Sequence, residues 1–360
     1  MNRSRNPRDL LPEHSALQHE RAAEHAPRPL PLFLELVRQV SERDPDAARA
    51  SLTGLRAYQA AERHPAPPPR PEIARVRGAC LRDHGGGGPP AVLIPSLINP
   101  PRILDLDLDV SLTAAVANMG RRVLLLDWGP ADKRCELSVA AHIDQLLLPL
   151  LRSIAKPAAL IGYCLGGTMA IAAAGLIESE RVATLAAPWR FACYPAASRN
   201  ALAAMWQGAQ IASRSLGALP MEVLQAAFWS LDPERTVRKF AEFGRLAPDS
   251  AEARRFVSLE DWANEGEALP YPAARELIED LFGRDRPGSG DWIVGGRTAS
   301  EDLGVPALHL LAGKDRIAPP ETAPAGPRAT IASGHVGMIV GSARSELRER
   351  LSRFLDPACR

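Results

Sequence analysis

The segment Leu160-Ile161-Gly162-Tyr163-Cys164-Leu165-Gly166-Gly167 places a cysteine with glycines two residues before and two after it. An apolar run leads into it, and a stretch of Thr, Met, Ala and Ile follows. The cysteine therefore falls at a strand-to-helix turn, as a nucleophile elbow with Cys in the position usually held by Ser. The glycines have a steric purpose, because residues flanking so tight a turn crowd one another unless they lack a Cβ. A thiolate at this turn would face the positive end of the next helix, which favours its negative charge. A lone cysteine would more simply be a buried, inert side chain. The paired glycines and the strand–turn–helix context favour the nucleophile.

A nucleophilic thiol needs a base, and the base needs an orienting acid. For an elbow of this kind the chain order is nucleophile, acid, histidine. Only His309 and His335 lie downstream of Cys164. His309 sits inside the apolar run PALHLLAG and is expected in a strand. His335, in Ser333-Gly334-His335-Val336-Gly337-Met338, sits in a Gly-flanked loop before the last helix and is the candidate base. Asp315, in Gly313-Lys314-Asp315-Arg316-Ile317, follows a predicted strand and is the candidate acid. A tetrahedral intermediate would also need N–H donors. One is assigned to Leu165, directly after the nucleophile. The other is assigned to the loop after the apolar run at 91–98, near Leu97 or Ile98, with Ile98 preferred. His84-Gly85-Gly86-Gly87 spells a lipase-like oxyanion motif, but it precedes that run, and a hairpin turn is the better reading.

The elements that must hold these residues alternate regularly. Residues 73–82 read as an edge strand and AVLIPSLI (91–98) as a buried strand. A helix at 109–119, a strand at 121–127, a helix at 136–153, a strand at 158–163, a helix at 166–177 and a strand at 182–188 follow. Such alternation implies βαβ units, a mostly parallel sheet and helices on both faces. The rhythm stops near residue 190. Residues 190–285 carry helical patterns and no convincing buried strand, which suggests an inserted helical cap over Cys164. It resumes at 305–313, with a short strand near 328–332 and a helix at 342–355. Upstream, helical spacing runs from Leu32 to about Arg63, and PAPPPRPE (65–72) is a stiff linker. The expected segments are 1–72 (tail, helices and linker), 73–189 (first part of the core), 190–285 (cap or lid) and 286–360 (second part of the core).

Composition excludes several classes. Of 360 residues, 43 are Lys or Arg and 42 Asp or Glu, a net charge of +1, which offers no global attraction to nucleic acid. The five cysteines form no CxxC pair and the tail histidines no metal-ligand spacing. No phosphate-binding glycine loop is present. No metal or resident cofactor is expected. The N-terminus lacks the apolar core of a secretory signal, and no run reaches the roughly 18 apolar residues of a membrane span. A reducing cytoplasm is the expected setting.

Taken jointly, several segments resemble the catalytic subunits of polyhydroxyalkanoate synthases, closest to the short class III type, over roughly residues 70–358. They are Leu97-Ile98-Asn99-Pro100-Pro101, Leu126-Asp127-Trp128-Gly129, Gly162-x-Cys164-x-Gly166-Gly167, Leu259-Glu260-Asp261-Trp262, Gly295-Gly296-Arg297, Asp315-x-Ile317-x-Pro319 and Gly334-His335-Val336-Gly337-Met338. The chain departs at Ala187-Pro188-Trp189-Arg190-Phe191, where the family has an acidic residue in place of Arg190. Arg316 stands where the family often has His.

The resemblance implies an α/β-hydrolase fold. It implies Cys164 as the acyl-carrying nucleophile, His335 as base and Asp315 as its partner. It also implies 3-hydroxyacyl-CoA thioesters as substrates, with CoA released and a polyester chain growing. A second, non-catalytic synthase subunit, a homo-oligomer and a place on polymer granules are implied as well. A Cys-dependent thioester or polyester hydrolase, like some intracellular depolymerases, is the alternative activity. A catalytically silent granule-associated homologue is a third reading.

Overall fold

The computed structural model describes residues 25–63, 68–107 and 109–356. Most of the expected N-terminal tail, part of the Pro-rich linker and Cys359 lie outside the described residues. The described chain divides into two compact units, one of residues 25–63 with 228–264 and one of 68–227 with 265–356. These units cut across the expected segments. Residues 30–60, grouped by sequence with the tail, share a core with part of the expected cap.

In the smaller unit, the helices Leu30–Ser41 and Pro45–Ala60 are separated at Asp44, whose side chain accepts the Ala47 N–H and starts the second helix. Their apolar faces meet those of Pro233–Phe243 and Ala251–Asn264. Phe33, Tyr58, Phe240 and Phe256 pack edge to face, with Phe33–Phe240 ring centroids 4.9 Å apart. The helices approach so closely at Gly54 that a Cβ there would lie 1.7 Å from Phe240 O. Asp261, in the Leu259–Trp262 motif, accepts from Tyr58 Oη at 2.5 Å and from Arg63 Nε at 3.2 Å. Its neighbour Glu260 takes Lys239 Nζ at 2.7 Å.

The larger unit is built on an eight-stranded sheet. Its strands are β1 (Glu72–Val76), β2 (Ala79–Asp83), β3 (Pro90–Ile94), β4 (Arg122–Asp127), β5 (Ala159–Tyr163), β6 (Arg181–Leu185), β7 (Ala307–Ala312) and β8 (Arg328–Ile331). The order is β1-β2-β4-β3-β5-β6-β7-β8; β2 runs antiparallel to β1 and β4, and all later pairings are parallel. This mostly parallel sheet, with its antiparallel leading strands and an elbow after β5, is the α/β-hydrolase fold. Strands β3, β5 and β6 are buried along their whole length, as apolar runs covered on both faces must be.

Three local expectations change. The single edge strand at 73–82 is a hairpin of β1 and β2, turned at Arg77 (φ 53°) and Gly78. The run after His84 makes no hairpin, because β4 lies between β2 and β3; it carries the chain past β4 to start β3. His84 itself sits with Nδ1 3.0 Å from Asp105 Oδ2. The 91–98 strand stops at Ile94, where Pro95 removes the next N–H from the ladder. Residues 190–285 are helical as read, apart from a two-residue pairing of Ala218–Leu219 with Leu269–Pro270.

Candidate active site

Cys164 lies between β5 and the helix Leu165–Ala174, with φ 56° and ψ −132°, a conformation that strains any residue bearing a Cβ. It is held there by Cys164 N–H donating to Leu185 O at 2.9 Å and by Gly167 N–H donating to Cys164 O at 2.8 Å. The glycine requirement read from sequence has a direct structural cause. A Cβ on Gly162 would lie 2.4 Å from Gly167 Cα, and one on Gly166 would lie 2.2 Å from Ile94 O. The elbow thus presses against the end of β3, where the Leu97–Ile98 loop begins.

Asp315 follows β7 and His335 follows β8, one strand apart at the same edge of the sheet. Lys314 N–H donates to Ser333 O at 2.8 Å and ties the two loops together. Asp315 Oδ1 accepts the N–H groups of Ile317 and Ala318 at 2.8 and 3.0 Å. Its other oxygen lies 2.6 Å from His335 Nδ1. Both residues are buried. Cys164 lies near enough to the His335 imidazole to act on its charge. Burial works against a charge on His335, but the Cys164 sulfur and the Asp315 carboxylate outweigh it and raise its pKa to about 10. The Tyr163 ring, 5.1 Å from the imidazole, packs beside His335.

Of the side chains singled out by order and context, Asp315 and His335 are hydrogen-bonded to each other, and Cys164 lies within electrostatic reach of that histidine. His309 is not among them. It stands in β7 with Nδ1 2.8 Å from Thr184 Oγ1, and burial lowers its pKa. Leu165 opens the helix after the elbow, and no hydrogen bond among the described residues engages its N–H. Ile98 is half-buried in the loop after β3, and its N–H is likewise unengaged among the described residues. Three tryptophans in or after the helical stretch at 190–285 are packed within the protein. Trp206 stacks on Tyr271 and donates to Glu279, Trp292 donates to Glu276, and Trp229 joins the core of the smaller unit. Arg190, at the departure from the family pattern, pairs with Glu301 at 2.8 Å.

Sequence reasoning missed the groups that support the loop after β3. Trp128 Nε1 donates to Pro95 O at 3.1 Å and Arg134 donates to Leu97 O at 3.4 Å. It also missed Tyr194, whose hydroxyl donates to Ile317 O at 2.9 Å beside Asp315. Trp128 was within a quoted motif, but nothing in the motif states which carbonyl it would reach.

No family model matches the chain. Curated proteins do. The poly(3-hydroxyalkanoate) polymerase subunit PhaC of Haloferax mediterranei is 26% identical over 272 residues, covering 70% of this chain and 55% of that protein. The chain is similar to polyhydroxyalkanoate synthase catalytic subunits. PhaC of Allochromatium vinosum is 25% identical over 289 residues, 74% of this chain and 80% of its own. PhaC of Synechocystis sp. is 25% identical over 293 residues, 74% and 77% respectively. This chain spans only about half the length of the Haloferax polymerase subunit, and most of the length of the other two.

Among solved structures, epoxide hydrolase A from Mycobacterium thermoresistibile has a TM-score of 0.48 at 20% identity, covering 79% of this chain and 98% of that one. An esterase from Thermogutta terrifontis has a TM-score of 0.47 at 18% identity, covering 79% and 100%. Among the described residues no helix is long and apolar enough to cross a membrane.

Proposed function

We propose that the chain is an acyltransferase of the polyhydroxyalkanoate synthase type, working through an acyl thioester on Cys164. The observation that carries this reading is the buried Asp315–His335 hydrogen bond beside a strained cysteine at the elbow, in a chain similar to polymerase subunits. The Cys164 sulfur attacks the carbonyl of a 3-hydroxyacyl-CoA thioester. The tetrahedral oxyanion is met by Leu165 and Ile98 N–H groups, and CoA leaves with the proton held by His335. In the second half, the 3-hydroxyl of another acyl unit gives its proton to His335 and attacks the acyl-Cys, forming an ester and freeing the thiolate. Exchange of one thioester for another is nearly balanced, so a thiol nucleophile suits acyl transfer. The CoA thioester enters as substrate, and no further cofactor takes part. A non-catalytic second subunit and a polymer surface are the partners this reading calls for.

The experiment is incubation of the purified protein with 3-hydroxybutyryl-CoA, followed by separation of polymer from free acid and release of CoA over time. Polymer formed by the natural chain and absent with Cys164→Ala supports the reading. Free 3-hydroxybutyrate alone would instead make the protein a Cys-dependent hydrolase.

A further inference from the structure

Arg134 carries a guanidinium that is 4% exposed, on the short turn Ala131–Arg134 after β4. Its donors are met from several directions. Nε donates to Gly129 O at 3.2 Å, one terminal nitrogen lies 3.4 Å from His142 Nε2, and the other donates to Leu97 O at 3.4 Å and faces Glu267 Oε2 at 3.6 Å. The His142 tautomer is set by its other nitrogen. Nδ1 lies 2.7 Å from the Ser138 carbonyl and must donate to it, so Nε2 is left as an acceptor for Arg134. Burial, reinforced by the neighbouring guanidinium, lowers the His142 pKa to about 4, so the ring stays neutral and keeps this role. Glu267 also accepts the Ala131 N–H at 2.7 Å, which pins the turn that carries Arg134.

A buried guanidinium is expensive to desolvate. What this one adds is a simultaneous hold on two backbone carbonyls from separate loops. One of them matters for chemistry. Leu97 C=O and Ile98 N–H belong to the same planar trans peptide and point in opposite directions. Fixing the carbonyl fixes the direction of the N–H. The loop is pinned at its start by Trp128 on Pro95 O, and beyond by Arg102 on Glu265 at 2.8 Å. Arg134 holds the peptide between these points.

We propose that Arg134 is a positioning residue for acyl transfer at Cys164, holding the Leu97–Ile98 peptide so that the Ile98 N–H is aimed at the developing oxyanion. Through Glu267, the segment after the helix Ala251–Asn264 contributes to the same alignment. This rests on the proposed acyl-transfer role of Cys164, with Ile98 as the second oxyanion donor.

Two reactions of one cysteine separate the possibilities. Acylation by 3-hydroxybutyryl-CoA passes through an oxyanion, whereas alkylation by iodoacetamide needs the thiolate and no such donor. Removing or misplacing one oxyanion donor costs about 10²-fold in kcat. Arg134→Ala should slow Cys164 acylation by about that factor at nearly unchanged KM, with alkylation of Cys164 kept. Arg134→Lys keeps the charge but cannot span both carbonyls, and Glu267→Gln keeps the guanidinium while removing its anion. Both should give smaller losses in kcat, again with alkylation kept, and they serve if the Ala variant does not fold. Natural rates of acylation in both milder variants, or acylation and alkylation falling together in all of them, overturn the role of Arg134. Absence of acylation in the natural chain itself, with normal alkylation, overturns the acyl-transfer reading and the proposal with it.

Discussion

Asp315 divides its carboxylate between two tasks, one oxygen held by the N–H groups of Ile317 and Ala318 and the other 2.6 Å from His335 Nδ1. The backbone contacts dictate what an amide would do in its place. In Asp315→Asn the side-chain oxygen would stay on the two N–H groups, so the NH₂ would face His335 and force the imidazole into the wrong tautomer. Acyl transfer should fall by about 10⁴-fold with a residue of turnover, while His335→Gln, which removes the proton carrier, should fall further, toward about 10⁶-fold. His309→Gln should leave the rate unchanged and lower stability, since that imidazole serves Thr184 within the sheet. One CoA-release assay on the four proteins checks the order, and an essential His309 with a dispensable His335 would refute it.

The raised pKa of His335 depends on its partner. Burial alone would lower it; the Cys164 sulfur is the largest opposing influence. Cys164→Ser replaces a thiol that can ionise by a hydroxyl that does not, so the pKa of His335 should drop from near 10 toward or below the ordinary value of about 6.5. Titration of the imidazole carbon resonances by NMR in the two proteins measures this directly. An unchanged value would mean that Cys164 does not share a proton with this histidine.

The glycines divide sharply by surroundings. Gly166→Ala would drive a Cβ to within 2.2 Å of Ile94 O, and backbone must shift to relieve it. The loss should reach at least the roughly 1–3 kcal/mol typical of overpacking. Gly208, in the helix Ala196–Leu216, has nothing within 4 Å of such a Cβ. Gly208→Ala should stabilise by about 0.5–1 kcal/mol through helix propensity alone. Urea denaturation of both variants tests the contrast, and a sign reversal at either site contradicts the packing described.

In the smaller unit, Tyr58→Phe removes the donor that Asp261 meets at 2.5 Å, while Arg63 remains on the carboxylate. A loss of about 1–2 kcal/mol is expected. A double-mutant cycle with Arg63→Ala should show coupling above about 0.5 kcal/mol, because the two donors share one acceptor. Additive effects would indicate that they act separately.

The elbow and the order of Cys164, Asp315 and His335 were legible in sequence because each rests on a local rule, a Cβ clash at a turn or a loop at a strand end. Arg134 was not legible. Its partner Leu97 is 37 residues away, and nothing in an Arg after Asp-Lys marks which carbonyl the folded chain will offer it. The hairpin at 72–83 looked like one strand because alternation is the same on either side of a tight turn; Gly78 was the available clue. Phe33 and Tyr58 announced buried helix faces, but periodicity states only that a face is covered, and their cover comes from Phe240, nearly two hundred residues on.

That separation has a consequence during synthesis. At about 5–20 residues per second, roughly 10 to 40 s pass between the emergence of Tyr58 and that of Phe240. Throughout this interval the helices Leu30–Ser41 and Pro45–Ala60 exist without the partners that will enclose them, their aromatic faces open to chaperones and to neighbouring nascent chains. Residues 30–60 are thus unable to finish folding until residues 233–243 have been made, and a chain truncated before 233 leaves these two helices without that cover.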